Sequence, residues 1–226
     1  MKLETKFNKK DILSAYEYRH ASKEFDPNKK ISEDDFNFIL ETGRLSPSSF
    51  GFEPWKFIVI QNEKLREKLK IVSSGGQKQI PSSSHFVIIL SRTKKHLNYD
   101  SDYIQSIMKN VQQLPQEVIE IMVKFYKDFI KHDIKLVEGD RLFFEWGARQ
   151  TYIALGNMMT SAAMIGIDSC PMEGFNKKQA EKILKDEGIM PASGFGISSM
   201  VTFGYRIENP LPKKRQALDE IVEWVN

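Results

Sequence analysis

Two short stretches of the sequence carry side chains that could contact a ligand. The first, SPSSFGFEPWKF (residues 46–57), sets serine hydroxyls beside several aromatic rings, which is more than a connector between a helix and a strand needs. The second, YRHASKEFD (residues 18–26), places Arg19, His20 and Lys23 within five positions. Cationic side chains of this kind can bind an anion such as a phosphate group. The alternative interpretation is a solvated basic helix end, because cations are favoured at helix C-termini.

Other patterns of reactive residues are incomplete. The stretch GFGISS (194–199) lacks the third glycine of a dinucleotide-binding fingerprint, so we predict a turn before a strand there. The histidines are never four positions apart and Cys170 is the only cysteine, so a zinc site is not expected. Ser48 and Ser49 do not stand in a G-x-S-x-G elbow, so the sequence gives no support for a serine hydrolase.

Composition narrows the class of protein. The chain has 226 residues, with 33 Lys and Arg against 30 Asp and Glu, a net charge of +3. This charge is too small to predict a nucleic-acid partner, but it suits a small anionic ligand. The lone Cys170 excludes an intrachain disulfide and fits a reducing cytoplasm. The N-terminus has no apolar signal region, and the most apolar stretch, residues 152–167, is too short to span a membrane. We expect a cytoplasmic protein.

The periodicity of apolar residues predicts the elements that hold these stretches. We predict helices over 9–18, 32–44, 63–73, 142–165 and 176–187. Strands are predicted over 57–61, 85–90, 167–171 and 198–205, with a loop over 73–84. A mostly helical insertion is predicted at about 100–133, broken near Pro115. No linker composition is visible, so we predict a single domain over residues 1–226.

The predicted helix 142–165 is rich in small residues. They are Gly147, Ala148, Ala154, Gly156, Ala162 and Ala163. Small side chains allow helices to approach closely, so we interpret this face as a contact between two subunits.

The chain resembles the FMN-dependent nitroreductase family, and in particular the oxygen-insensitive NAD(P)H nitroreductases, over essentially its whole length. The motifs that carry the resemblance, in the family's order and spacing, are RHASKEFD (19–26), SPSSFGFEPWKF (46–57), CPMEGF (170–175), FGYR (203–206) and LPKKR (211–215). The resemblance implies an α+β, three-layer fold with a central, mostly antiparallel sheet flanked by helices. It also implies a homodimer with FMN at the subunit interface.

The resemblance assigns contacts with FMN to individual residues. Arg19 and His20 resemble the phosphate and ribityl contacts, while Lys213 and Arg215 resemble the cations that close over the phosphate from the other end of the chain. Lys23 resembles the lysine at the N1–O2 edge of the ring, where a cation tunes the cofactor. The other cofactor-binding residues implied are Ala21, Pro47, Ser48, Ser49, Gly51, Gln79, Pro171, Met172, Glu173 and Gly174.

Within this set, the segment Pro171–Gly174 resembles the one whose backbone N–H groups face N5 and O4, so Glu173 is expected to act through its backbone. Ser48 and Ser49 resemble the contacts to the ring from the neighbouring subunit. The chain departs from the family at Ala21, where Ser is frequent, and at Gly51 and Glu53, where Asn and Gln are frequent. Gln79 stands where some members have lysine. These departures bear on cofactor affinity and on the choice of pyridine nucleotide.

The acceptor cleft implied by the resemblance is aromatic. Pro47, Phe50 and Phe52 suit its wall, and either Phe125 or Tyr126 resembles the aromatic residue that roofs it. For Phe52 and Tyr126 the alternative is an ordinary place in the core or on an amphipathic helix. Trp55 is expected to lock the loop onto the core.

The function implied is transfer of hydride from NADH or NADPH through FMN to nitroaromatics, quinones or similar electron-poor acceptors, in a ping-pong cycle without a catalytic side chain. One alternative is a flavin-binding protein for storage or sensing, without turnover. Another is a family member that reduces pteridines, enones or halogenated aromatics.

Overall fold

A four-stranded sheet lies at the centre of the computed structural model, which describes residues 8–225. The strands have the order β1-β2-β4-β3, and each neighbouring pair is antiparallel. Their bounds are Trp55–Ile60 (β1), His85–Arg92 (β2), Asp168–Met172 (β3) and Phe195–Gly204 (β4). The prediction of an α+β fold with an antiparallel sheet is confirmed.

Helices flank the sheet, and several begin at a polar cap. The α-helices in the described residues are Lys9–Tyr18 (α1), Glu33–Arg44 (α2), Glu63–Ile71 (α3), Gln79–Ser82 (α4), Lys94–Leu97 (α5), Asp102–Ser106 (α6), Gln116–Asp128 (α7), Asp140–Met164 (α8) and Lys177–Asp186 (α9). The side chains of Asn8, Asn62 and Asn176 each accept a hydrogen bond from a backbone N–H group in the first turn of α1, α3 and α9. These caps satisfy donors that the helix itself leaves unpaired, so local sequence sets where the helices begin.

The sheet is the middle of three layers. On one face, Phe86, Ile88 and Leu90 of β2 belong to a buried apolar cluster with side chains of α3 and α9. On the other face, Val87 and Ile89 belong to a second cluster with side chains of α2 and α8. Successive side chains of a strand point to opposite faces, so a strand covered on both sides must be apolar throughout. This explains the uninterrupted run FVIIL.

The predicted helical insertion consists of two helical segments. Helix α6 continues into a π-helical turn, Ile107–Val111, and α7 continues into a second one, Phe129–Asp133. The chain leaves helical geometry just before Pro115, as predicted, because proline cannot continue a helix. Buried side chains of the insertion form a third cluster with residues of α8 and with Phe52.

Several predicted boundaries differ from the structure. Strand β4 begins at Phe195, three residues earlier than predicted, so most of the stretch GFGISS lies in the strand and Gly194 (φ +88°) provides the turn. Strand β1 begins at Trp55 because this residue pairs with Ser91 of β2. One helical turn, Gln79–Ser82, lies within the predicted loop.

Most of the small residues of α8 pack inside the subunit, whereas Gly156 borders open space. A Cβ atom at Gly147 would lie 2.6 Å from Ser91 Oγ, and the side chains of Ala154 and Ala162 are fully buried. Most of this face is therefore filled within its own subunit, and only Gly156 is left open for a contact between subunits, which stays a prediction. The exposed apolar side chains of α8 are instead Leu142, Tyr152, Ile153 and Met164.

No helix within residues 8–225 combines the length and apolarity needed to cross a membrane. Residues 1–7, on which part of the signal-peptide prediction rests, lie outside the described residues.

Candidate functional site

The basic stretch 18–26 starts at the end of α1 and runs along the free edge of the sheet. Arg19 ends the helix, and its backbone turns into an extended conformation (φ −62°, ψ 120°). Ala21 then forms a parallel bridge to Ser169 of β3, and the Ser22 N–H donates to the Ser169 carbonyl at 3.1 Å. The sequence therefore passes from helix to edge strand within three residues.

A buried ion pair holds this transition in place. Arg206 Nε lies 2.7 Å from Asp168 Oδ1, and both side chains are largely buried. The Arg206 guanidinium also donates to the Tyr18 carbonyl at 3.2 Å, and the Tyr18 hydroxyl donates to Asp168 Oδ2 at 3.2 Å. Burial raises the pKa of Tyr18, so its hydroxyl keeps the proton that it donates. We call these contacts the Asp168–Arg206 clamp. The sequence did not predict it, although Arg206 is the last residue of the FGYR motif.

The clamp supports a basic cleft of about 550 Å³ at the end of α1. The predicted residues that line it are Arg19, His20, Ala21, Pro171, Lys213 and Arg215. Sequence reasoning missed four more, namely Met159, Leu211, Pro212 and Lys214. Residues nearly 200 positions apart thus meet at one cleft, and most of its charged groups are positive.

Lys213 draws the C-terminal segment across the end of α1. Its Nζ donates hydrogen bonds to the carbonyls of Tyr16 and Arg19. Burial lowers the pKa of Lys213, and the neighbouring charges of Arg19 and Arg215 lower it further. An anion placed beside Lys213 would stabilise its charged form against these neighbouring cations.

His20 offers this cleft an unused ring nitrogen. Its Nδ1 lies 2.8 Å from the Tyr18 carbonyl, which can only accept a hydrogen bond, so Nδ1 carries the proton. Its Nε2 is buried and has no partner among the described residues. Buried polar atoms are nearly always paired in folded proteins, so this atom indicates a missing ligand or water.

Lys23 and Gln79 lie outside the lining of the basic cleft. Lys23 is exposed and lines a smaller neighbouring pocket of about 180 Å³ that shares His20 and Ala21 with the basic cleft.

Gln79 is buried, with Nε2 3.9 Å from Cys170 Sγ. Burial raises the pKa of the Cys170 thiol, with Lys23 acting in the opposite direction. A protonated, buried thiol is not a nucleophile.

The segment Pro171–Gly174 follows from β3 and is tied down at both ends. Pro171 lines the basic cleft, and the side chain of Met172 is buried. Glu173 accepts a hydrogen bond from the Tyr152 hydroxyl of α8. The Gly174 carbonyl accepts from the Gly75 N–H at 2.8 Å. The side chain of Glu173 is thus held against α8.

The serine loop, residues 48–53, is a separate region of the chain, and none of its residues lines the basic cleft. The Ser49 N–H donates to Gln150 Oε1 of α8 at 2.9 Å, and Ser48 Oγ accepts from the Glu53 N–H at 2.9 Å. Phe50 has φ +58° and Gly51 has φ +64°, so the loop is a tight left-handed turn. Pro47 and Gly51 are exposed beside it.

Two of the predicted cleft aromatics are core residues, so those predictions are wrong. Phe52 and Tyr126 are both 0% exposed, and their rings pack edge to face with centroids 4.8 Å apart. The Tyr126 hydroxyl donates to the Leu97 carbonyl at 2.6 Å. Phe50 is half-buried against the same rings, whereas Phe125 is 64% exposed and stays a predicted cleft residue.

Comparison with known proteins agrees with this architecture. Residues 16–205 match the nitroreductase family. The chain is 56% identical over 217 residues to YfkO of Bacillus subtilis, named as a presumed NAD(P)H nitroreductase, and the match covers 96% of this chain and 98% of YfkO.

Two solved structures of presumed nitroreductases share the fold. The protein ydfN of Bacillus subtilis has a TM-score of 0.77 at 22% identity, covering 96% of this chain and 100% of that one. A protein of Exiguobacterium sibiricum, solved in complex with FMN, has a TM-score of 0.74 at 20% identity, covering 99% and 100%. The match along the sequence and the shared antiparallel sheet lead to one conclusion: the chain belongs to the nitroreductase family.

Proposed function

We propose that the protein is an FMN-dependent oxidoreductase that uses NADH or NADPH to reduce nitroaromatics, quinones or similar electron-poor acceptors. The observation that carries the proposal is the basic cleft, in which cations from both ends of the chain surround a buried, unpartnered histidine nitrogen. Family membership and the relatives named as NAD(P)H nitroreductases support it. When bound, FMN supplies the redox chemistry between the pyridine nucleotide and the acceptor.

The residues of the cleft fit the polar chain of FMN. A phosphate group carries nearly two negative charges, which Arg19, Lys213 and Arg215 would neutralise. Since the Tyr18 carbonyl holds a proton on Nδ1 of His20, Nε2 is the ring nitrogen left to contact a ribityl hydroxyl. The buried Asp168–Arg206 pair keeps both contacts in place without being part of the lining.

The ring of FMN would lie between Lys23 and the segment Pro171–Gly174. Lys23 would place a positive charge beside the edge of the ring where negative charge develops on reduction. The backbone N–H groups of Glu173 and Gly174 would donate to the opposite edge, with the Glu173 carboxylate held away by Tyr152. No side chain acts as a general acid or base in this proposal.

We also propose that the protein forms a homodimer, because the serine loop does not line the basic cleft of its own chain. Ser48 and Ser49 would contact the ring bound to the partner. The exposed apolar side chains of α8, Leu142, Tyr152 and Ile153, offer a surface that a second copy would cover. Sedimentation of an FMN-loaded monomer at micromolar concentration would contradict this assembly.

An anaerobic spectrum of the purified protein tests the proposed activity. We expect a yellow protein whose absorption bleaches on addition of NADH or NADPH and returns on addition of nitrofurazone or menadione. Protein that binds FMN but is not bleached by either nucleotide would indicate storage or sensing instead. Bleaching that only pteridines, enones or halogenated aromatics reverse would change the acceptor class. A cytoplasmic location stays a prediction from the sequence.

A further inference from the structure

The serine loop has a backbone that its own residues do not favour. Phe50 (φ +58°) and Glu53 (φ +44°) both lie in the left-handed region, although neither is glycine. Such conformations persist only where surrounding contacts enforce them, and they cluster at functional sites. The loop must therefore be held by other parts of the chain.

Two polar side chains of the helical insertion hold it. Gln112 Nε2 donates to the Phe50 carbonyl at 2.8 Å and to the Gly51 carbonyl at 3.2 Å. The Tyr103 hydroxyl lies 2.7 Å from the Phe52 carbonyl and 2.9 Å from the Glu53 carbonyl. Two side chains thus reach the carbonyls of four consecutive residues, and both come from a segment at least 50 positions away.

Each of these donors is itself fixed. The Arg92 guanidinium lies 3.5 Å from the centroid of the Tyr103 ring, and burial raises the pKa of Tyr103, so its hydroxyl stays a donor. Gln112 follows directly on the π-helical turn, with its backbone N–H bonded to the Ile107 carbonyl at 2.9 Å. A Cβ atom at Gly51 would come within 2.9 Å of Gln112 Nε2, which explains glycine at this position.

We propose that Gln112 and Tyr103 are positioning residues, which hold the serine loop so that its hydroxyls face the FMN ring bound to the partner subunit and Phe50 borders the acceptor. This inference rests on the proposed function. Ser48 Oγ already accepts from the Glu53 N–H, so the loop conformation leaves the Ser48 hydroxyl hydrogen free to donate. The insertion therefore acts on the cofactor through hydrogen bonds to the backbone carbonyls of the serine loop.

The test compares Gln112→Leu, Tyr103→Phe and the double variant with Gln112→Lys, which keeps an N–H donor of similar reach. Asn110→Ala is the matched control, because Asn110 bonds only within the insertion, to Ser106 Oγ. The measurements are amide hydrogen exchange of the loop, the absorption spectrum of bound FMN, and kcat and KM for nitrofurazone. The melting temperature of each FMN-bound variant shows whether it is folded.

We expect Gln112→Leu to speed exchange of the Gly51 and Phe52 amides about tenfold, to shift the flavin absorption band and to raise the acceptor KM several-fold, with a smaller change in kcat. The Tyr103→Phe variant acts in the same direction and the double variant more strongly, while Gln112→Lys restores wild-type values. FMN affinity changes little, because the basic cleft is intact.

A loop that exchanges faster while the flavin spectrum and KM stay at wild-type values would overturn the inference and leave the proposed function standing. Equal behaviour of Gln112→Leu and Gln112→Lys would also overturn it. If Gln112→Leu does not fold, Tyr103→Phe alone decides between these outcomes, since it removes one hydroxyl and keeps the ring under Arg92. Failure of wild-type protein to bind FMN is separate, and contradicts the proposed function before any variant is made.

Discussion

The basic cleft and the serine loop are both parts of the candidate site, but they are built from different forces. The cleft is electrostatic, with Arg19, Lys213 and Arg215 around a space that a buried ion pair supports. The loop is held by hydrogen bonds to its carbonyls and by aromatic packing against the insertion. The charged groups of Lys and Arg must stay near solvent, so the residue type alone predicts a position at the surface. An aromatic ring packs equally well in a core or along a cleft, so the residue type does not predict which of the two it occupies.

The largest effect expected is on stability, and it separates core rings from cleft rings. Phe52→Ala should lower the free energy of unfolding by about 3–5 kcal/mol, because it leaves a cavity in the cluster between the loop and the insertion. Phe125→Ala should change it by less than about 0.5 kcal/mol, since that ring is exposed. Urea unfolding of both variants measures the difference. Equal losses would remove the distinction between the two rings.

In the basic cleft, Arg19→Ala should weaken FMN binding roughly 10- to 100-fold, as expected for the loss of one charge-assisted hydrogen bond of about 1.5–3 kcal/mol. Lys213→Ala should have a smaller effect, because its ammonium must first leave the carbonyls of Tyr16 and Arg19. Titration of apo-protein with FMN measures both, and Lys10→Ala, on the exposed face of α1, is the control. Unchanged FMN affinity in the Arg19 variant would contradict this role and favour the alternative, in which the basic stretch is only a solvated helix end.

Lys23 lines the pocket next to the basic cleft, and its substitution tests whether it acts on the ring. Lys23→Met should lower the two-electron potential of bound FMN by roughly 30 mV, equivalent to about 1.4 kcal/mol of lost stabilisation of the reduced state. It should weaken FMN binding less than Arg19→Ala does. Redox titration against a dye of known potential gives the answer. A shift below about 10 mV, together with reduced affinity, would place Lys23 with the phosphate-binding cations instead.

The smallest effect expected is that of Tyr126→Phe, which removes the hydrogen bond to the Leu97 carbonyl but keeps the ring. We expect a loss of about 1 kcal/mol at pH 7 and no change in the acceptor KM, because the hydroxyl is in the core. Unfolding by urea and steady-state kinetics measure these two quantities. A large rise in the acceptor KM would indicate that Tyr126 contacts the acceptor after all.

The same variant has a distinct pH dependence. Burial raises the pKa of Tyr126 above its ordinary value of 10.0, so above pH 10 the unfolded chain releases this proton while the folded chain keeps it. Wild-type stability therefore falls as the pH rises beyond 10, and this contribution is absent in the phenylalanine variant. The difference in stability between the two proteins should shrink between pH 7 and pH 10.5. A constant difference would show that the hydroxyl titrates normally.

Prediction from the sequence succeeded where local patterns or charge were sufficient. The run HFVIIL predicted β2, the asparagine and serine caps lie where the predicted helices begin, and Pro115 marks the break in the insertion. The basic stretch 18–26 and the segment 211–215 were predicted to share an FMN site; Arg19, His20 and Ala21 do line one cleft with 211–215, and FMN binding there stays a prediction. Their separation in sequence was bridged by the family resemblance, because spacing alone cannot bring chain ends together.

Apart from strand bounds and one helical turn in a predicted loop, the errors concern which side chains are buried. Phe52 and Tyr126 are apolar enough for either role, and only the packing of the insertion against α8 buried them. Gly147 of α8 permits close packing, and Ser91 of the sheet is the residue that approaches it. The Asp168–Arg206 clamp and the Gln112 and Tyr103 contacts had no local signal, since each joins residues far apart in the chain.

The sequence by itself determined the family, because five motifs stand in the family's order and spacing, and the resemblance in turn implied the antiparallel α+β fold. Periodicity and charge act over a few residues, so they determined most helices and strands and where the cations stand in the chain. Tertiary structure alone decided which aromatic rings became core, which nitrogen of His20 was left free, and which side chains hold the serine loop in its left-handed turn. These outcomes depend on contacts between segments far apart in the chain, and the local sequence does not indicate which distant residue will pack against a given side chain.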